Sequence, residues 1–290
     1  MDESSHQPSL DGLGYAVSHN TSSHWNMDRY HFHEFYEVNY ILSDGVSWFV
    51  SDQVYQVQAG TLMILSDGDL HRSVSATGSK YERYVLHLSP AFVQELSTAT
   101  TNLADCFVNR KQHATRCLQL QPGQQSRLLA LLDKAARYRH QRTFGADLYR
   151  RLAVTELLLL VNQLFRGATR PRQARLDSRL GPLTPILGYI QSHLGESLSL
   201  DQLGSEFYLN KYHLGRLFKQ ATGFTVNEYI IHCRILRARE LLRQDLSIQQ
   251  VGVQVGFPNA SHFIRTFKQL VGTTPKQYQL RARAIGAPKE

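Results

Sequence analysis

Two histidines and a carboxylate alternate in the stretch HFHEFYE, where an extended strand would put His31, His33, Phe35 and Glu37 on one face. Further on, GTLMILSDGDLH carries His71 past a turn signal that can return it against the first stretch. Two imidazoles, a carboxylate and a third imidazole support two chemistries. The first reading is the polar lining of a ligand pocket, hydrogen-bonded within itself and requiring no cofactor. The second is a divalent metal site, with His31, His33, Glu37 and His71 as a complete ligand set for zinc, iron, nickel or manganese. Arg72 and His87 add polar groups, and Trp25, Tyr36 and Trp48 offer aromatic walls to a sugar or a similarly polar organic molecule.

A different chemistry sits in a repeat. LSLDQLGSEFYLNKYHLGRLFKQATGFTVNEYI, from Leu198, returns as LSIQQVGVQVGFPNASHFIRTFKQLVGTTPKQYQ, from Leu246, the offset growing from 48 to 49 residues at one inserted turn position. Each copy is two short amphipathic segments around a tight turn, the outline of a helix-turn-helix that reads DNA. In the first copy Asn210 can cap KYHLGRLFKQAT while Leu214, Leu217 and Phe218 pin it inward, leaving Tyr212, Gly215 and Arg216 outward. In the second, Asn259 or Ser261 begins ASHFIRTFKQLV, Phe263 and Phe267 turn inward, and Ala260, Ser261, His262 and Arg265 stay exposed. The arginine fork matches guanine O6 and N7, Ala260 a thymine methyl, and Tyr212, Ser261 or His262 a base edge or a phosphate. Lys219 and Lys268, equivalent in the repeat, suit phosphate neutralisation.

These residues need two scaffolds. Residues 15–88 read as short antiparallel strands divided by Gly, Asp and Ser, a small barrel or sandwich. From 90 the texture turns helical, over 90–97, 101–108, 124–140 and 145–165. The last of these presents Leu148, Leu152, Thr155 and Leu159 as a stripe. That stripe, continued to Leu164, is the expected dimer contact; its alternative is a lid on the barrel of the same chain. A basic Gly- and Pro-rich stretch reads as linker. A leading helix follows at 185–194, and a long helix joins the two repeats over 225–244, with Ile230, Ile235, Ala238 and Leu242 inward and its arginines toward solvent or phosphate. The expected division is 1–165, linker 166–182, and 183–281: a two-domain α+β chain with an N-terminal β-barrel carrying a helical extension and a C-terminal all-α double helix-turn-helix.

At 290 residues and 42 % hydrophobic content the chain can bury two cores, which excludes fibrous and disordered classes. Residues 1–120 hold 7 basic and 13 acidic side chains, net −6, so the remainder carries +14 of an overall +8. Basic charge thus gathers around the repeat, as a DNA reader requires. Cys106, Cys117 and Cys233 form neither a CxxC pair nor an even set, which fits a reducing cytoplasm. The strongest apolar run, LAVTELLLLV at 152–161, is too short for a bilayer, and no export signal or membrane partner is expected.

The repeat resembles the arabinose-operon-activator (AraC/XylS) family of bacterial transcription regulators. The match runs through Gly256-Phe257, Phe263, Arg265, Phe267-Lys268, Gly272, Thr274-Pro275 and Tyr278, and in the first copy through Leu214, Arg216, Leu217-Phe218-Lys219, Gly223 and Tyr229. Gly204 and Gly252 stand where a small Ala is common, which implies a helix cost of roughly 0.5 to 1 kcal/mol per site. The N-terminal half resembles the cupin barrel through His31, His33 and Glu37, then Gly60, Ser66-Asp67-Gly68 and His71. It departs at Ser66 for Pro, Ser75 for Asn and Trp25 for Gly. Together the resemblances imply a cytoplasmic, homodimeric, sequence-specific regulator that binds promoter DNA, works with RNA polymerase, answers to a small effector, carbohydrate by preference, and catalyses nothing. The alternatives are a metal-dependent cupin enzyme and a constitutive DNA-binding protein with an inert dimerisation barrel.

Overall fold

The computed structural model describes residue 10 and residues 12–23, 25, 27, 31–50, 53–67, 69–76, 79–109, 116–168, 183–222 and 224–286. The chain divides into two compact units. Most of the stretch expected to be a linker, together with Gly68 and Gly223, lies outside the described residues.

In the N-terminal unit the strands are β1 (Tyr15–Ser23), β2 (Tyr36–Ile41), β3 (Val46–Val50), β4 (Gln53–Val57), β5 (Thr61–Leu65), β6 (His71–Ser75), β7 (Lys80–Leu88) and β8 (Cys117–Gln119). They form two sheets, ordered β1-β7-β2-β5-β8 and β4-β3-β6. The expected barrel is therefore not closed: among the described strands no ladder joins one sheet to the other, and two sheets replace the continuous cylinder. Four helices follow, α1 (Pro90–Leu96), α2 (Asp105–Val108), α3 (Pro122–Arg139) and α4 (Ala146–Arg166). The helix expected over 101–108 shrinks to the single turn of α2.

Strand parity divides this unit into two cores. Tyr36, Val38 and Tyr40 of β2 and Tyr84, Leu86 and Leu88 of β7 pack with Leu128, Leu132, Val154, Leu157, Leu158 and Val161 of α3 and α4. The alternate residues of β2 and β7 face the other way, where Ile41 and Tyr81, with Met63 and Leu65 of β5, meet Val46, Trp48 and Val50 of the smaller sheet. Helix α4 spends its apolar residues on the first core, yet Leu148 and Leu152 stay 61 % exposed and Leu159 38 %. Leu164, at the end of the same stripe, packs against that core, so the stripe divides between an exposed stretch and a contact within its own unit. No helix of the described residues is long and apolar enough to cross a membrane.

The C-terminal unit comprises α5 (Thr184–Ser192), α6 (Leu200–Glu206), α7 (Lys211–Thr222), α8 (Val226–Leu241), α9 (Ile248–Gln254), α10 (Ala260–Val271) and α11 (Pro275–Gly286). The repeat appears first in the caps. Ser199 and Ser247 accept from the backbone of Gln202 and Gln250 at 3.1 and 3.2 Å, and Thr225 and Thr274 accept from Glu228 and Gln277 at 3.2 and 3.3 Å. Each cap satisfies an amide that the first turn of a helix leaves free. Leu203, Leu214 and Phe218 in one copy and Val251, Phe263 and Phe267 in the other are fully buried.

The turns show why the two offsets differ. Tyr208 in the first copy and Gly256 in the second, 48 residues apart, both take left-handed φ, 54° and 84°. The extra residue enters after that position, where Leu209-Asn210 becomes Phe257-Pro258-Asn259. Gly204 closes the first turn. Its carbonyl accepts from the Leu209 amide at 2.8 Å, and a Cβ there would stand 2.8 Å from the Leu209 carbonyl oxygen. The glycine thus permits a close backbone approach, which corrects the expectation that it is a plain helix weakness.

Helix α8 buries Ile230, Ile235, Ala238 and Leu242, the last at its C-cap, as its pattern predicts. Its arginines do not all face solvent. Arg239 is buried with its Nε donating to the Tyr278 hydroxyl at 3.3 Å, and Arg234 donates to the carbonyls of Leu194 and Glu196 at 2.9 and 2.7 Å. Only Arg237, paired with Glu240, keeps the expected exposed role among these three.

Candidate functional site

The inner side of the larger sheet is lined by the residues that parity turns away from the helices. On β2 these are Glu37, Asn39 and Ile41; on β7, Tyr81, Arg83, Val85 and His87. The antiparallel register sets Glu37 opposite His87, Asn39 opposite Val85 and Ile41 opposite Arg83. On the smaller sheet β6 offers His71, Ser73 and Ser75, paired with Val50, Trp48 and Val46.

His31 reaches this interior through an isolated bridge to His71, each amide donating to the other's carbonyl at 3.0 and 2.9 Å. The stretch HFHEFYE is not one strand, because residues 34–35 bend and β2 begins only at Tyr36. His71 is positioned by the turn before it. The Asp69 carboxylate accepts from the Ser66 amide at 2.7 Å and pairs with Arg116, while the Asp69 carbonyl lies 2.8 Å from His71 Nδ1.

Glu37 is the hub. One of its oxygens accepts from His33 Nε2 at 2.6 Å and lies 3.6 and 3.7 Å from Nε2 of His71 and His87; the other accepts from the Asn39 amide at 2.8 Å. Burial pushes the Glu37 carboxyl up, but the His33 hydrogen bond and the charges of His87, His33 and His71 outweigh it and hold the group well below the usual carboxylate range. Burial drives the imidazoles the opposite way: His31 falls to about 4, and His71 and His87 also fall below 6.5. At neutral pH Glu37 is ionised while His31, His71 and His87 are neutral.

The four-residue ligand set read from the sequence is not gathered as one cluster. Instead the ring nitrogens of His31, His33 and His71 converge, and those of His33 and His87 converge with Glu37, each within 4.8 Å. His33 belongs to both groups, and both of its nitrogens are engaged, Nε2 by Glu37 and Nδ1 by the Phe35 carbonyl at 3.1 Å. Of these donors only His33 is engaged at both nitrogens; His71 Nε2 has no hydrogen-bond partner, and each trio has a spacing that could hold a metal ion.

The other lining residues divide. Trp48 points inward, its ring stacked 5.9 Å from His71 and its Nε1 donating to the Tyr81 hydroxyl at 3.0 Å. Trp25 is fastened along β6 by its own Nε1 to Ser73 Oγ at 2.9 Å and by its carbonyl, which accepts from the Ser75 amide at 2.8 Å. Tyr36 is on the wrong face of β2: it stacks 4.6 Å from Phe107 inside the helix-side core. Arg72 likewise lies on the opposite side of β6 from His71, with its Nε donating to the Met27 carbonyl at 2.6 Å. Sequence reasoning missed Asn39, Ser73, Tyr81 and Arg83. The available signal was the alternation of YERYVLH, which puts Tyr81 and Arg83 on the face of His87.

In the C-terminal unit the expected reading residues lie on two equivalent helices. The Asn210 side chain accepts from the Tyr212 amide at 2.9 Å and that of Asn259 from the His262 amide at 2.8 Å. Tyr212, Arg216 and Lys219 are exposed on α7, with Gly215 half-buried; Ala260, Ser261, Arg265 and Lys268 are exposed on α10. His262 is half-buried, its ring 5.3 Å from Phe257, and is thus less available than its neighbours. Leu217, expected inward, is also only half-buried.

Residues 13–181 match the family described as an AraC-like ligand binding domain, and residues 203–281 match a helix-turn-helix domain. An uncharacterized HTH-type transcriptional regulator of Bacillus subtilis, YfiF, is 26% identical over 249 residues, covering 84% of this chain and 76% of the relative. The transcriptional activator RhaS of Citrobacter koseri is 27% identical over 250 residues, 85% of each chain. The regulatory protein PocR of Salmonella typhimurium is 36% identical over 119 residues, 41% of this chain and 37% of that one.

Proposed function

Because the chain belongs to the family of transcription regulators that join an AraC-like ligand binding domain to a helix-turn-helix domain, we propose that α7 and α10 grip promoter DNA and that a small molecule held between the N-terminal sheets sets their affinity. The observation that carries this is the repeat itself. Two capped helices present an arginine and a lysine at matching exposed positions, Arg216 with Lys219 and Arg265 with Lys268. Arginine supplies base discrimination and lysine phosphate neutralisation. The effector changes DNA affinity only to the extent that it binds the DNA-competent and incompetent arrangements unequally.

The finer assignments are ours. The domains run 1–165 and 183–281 with a linker at 166–182, and the working compartment is the cytoplasm, where bacterial DNA lies. The exposed leucines of α4 support a second copy of the chain as partner, and the likeness to a named activator supports RNA polymerase as another. The lining polar groups bind and orient an effector without turning it over. Selection of genomic fragments by the full chain, with excess competitor DNA present, tests the reading. A few fragments sharing a two-part motif are expected; uniform recovery of all fragments overturns it.

A further inference from the structure

Arg83 is 6 % exposed, and its guanidinium is sandwiched between the rings of Trp25 and Tyr81, 4.2 and 4.4 Å from their centroids. Its Nη1 is buried without a hydrogen-bond partner, and among the described residues no carboxylate lies within ion-pair distance of it. A buried cation left uncompensated is costly unless an anion arrives to meet it. Glu37, the carboxylate of the same interior, is already held by His33 and Asn39.

Two further buried atoms of this interior lack hydrogen-bond partners, His71 Nε2 and Asn39 Oδ1. Both are acceptors. His71 Nδ1 faces the Asp69 carbonyl, which can only accept, so the ring proton sits on Nδ1 and Nε2 offers a lone pair. Asn39 turns its NH2 toward Glu37 and so leaves its oxygen free. Arg83 lies opposite Ile41, one same-face position along from the Asn39–Val85 pair, a separation of roughly 7 Å.

We propose that the effector is a hydroxylated monocarboxylate of about four to six carbons, its carboxylate paired with Arg83 between Trp25 and Tyr81 and its hydroxyls donating to Asn39 Oδ1 and His71 Nε2. The proposal rests on the reading of this interior as the effector site, and it narrows the sugar or related metabolite expected from resemblance. One uncompensated guanidinium beside a buried Glu37 suits a single negative charge better than a phosphate dianion.

The test is calorimetric and thermal-shift titration of the full chain with the aldonic and uronic acids of four to six carbons. Each acid is matched by its alditol or parent sugar, and by the unsubstituted fatty acid of equal length. At least one acid is expected to bind ten-fold or more tightly than both of its matched controls. Arg83→Met is expected to abolish that preference and Arg83→Lys to retain part of it. The unliganded Arg83→Met chain is expected to unfold at the same or a higher temperature, because it loses an unpaired buried charge; Arg83→Lys carries the test if the Met variant does not fold. A neutral sugar that binds with an affinity unchanged by Arg83→Met overturns this assignment and leaves the effector site standing. Acid binding that survives Arg83→Met also overturns it. If no compound in the panel binds and DNA affinity is the same with each, both readings fall.

Discussion

Replacing Gly204 and Gly252 by Ala separates two forces that the sequence alone merges. Both lie at the same position of the repeat, and helix propensity favours Ala over Gly by roughly 1 kcal/mol at each. At Gly204 the new Cβ would stand 2.8 Å from the Leu209 carbonyl oxygen, a backbone atom held in place by the hydrogen bond that closes the turn. Relief requires the turn itself to move, and overpacking of this kind costs about 1 to 3 kcal/mol. At Gly252 the nearest atom is Cδ1 of the Phe263 ring at 3.1 Å, which needs to give by only a few tenths of an ångström. The net expectation is destabilisation by about 1 kcal/mol for Gly204→Ala, a fall of roughly 4 to 8 °C for a unit of this size, with Gly252→Ala near neutral or mildly stabilising. Scanning calorimetry of the full chain measures this, the C-terminal transition being the one that shifts when DNA is added. Equal stabilisation by both substitutions would refute the close-approach argument.

Acidification should weaken the N-terminal unit. His31 titrates near 4 when folded against 6.5 ordinarily, so between those values the unfolded chain takes up a proton that the folded chain refuses, and stability falls as pH is lowered through that window. His71 and His87 act with the same sign, as does Glu37, whose contribution is present above about 4.5 and lost as pH falls through its lowered folded value. A melting midpoint that rises from pH 7 to pH 5 would contradict this. Tyr208→Gly should raise stability by about 0.5 to 1 kcal/mol, since Tyr208 holds a left-handed φ of 54° that its counterpart Gly256 adopts without penalty; denaturant titration that shows destabilisation speaks against it. Leu148→Glu together with Leu152→Glu should lower the solution mass from dimer to monomer with the melting midpoint changed by little, because both side chains are already exposed. Sedimentation equilibrium with an unchanged mass would remove α4 from the proposed interface.

The C-terminal unit was nearly transparent in the sequence because its signals are local. Caps, a 3.6-residue periodicity and a repeated turn each act within a few residues, so Asn210 and Asn259 could be placed before any tertiary contact was known. The helices of the N-terminal unit were legible for the same reason, except over 101–108, where only the turn of α2 forms. The interior of that unit was only half legible. Parity in β2 puts Tyr36 and Glu37 on opposite faces, and choosing both as lining residues overlooked it; the same rule on β7 would have found Arg83 beside His87. What no local rule contains is partnership across strands. That His33 is consumed by Glu37, that His87 joins the hub, and that Arg83 goes without an anion all depend on register between distant segments.

Selection from randomised duplexes by the full chain asks whether α7 and α10 each read bases. The wild-type chain should recover a motif in two parts. Arg216→Ala should erase preference in one part and Arg265→Ala in the other, each by about 1 to 3 kcal/mol at a limited number of base pairs and with the remaining part intact. Variants that lose affinity evenly on every sequence, or a wild-type chain that recovers no motif, would contradict it.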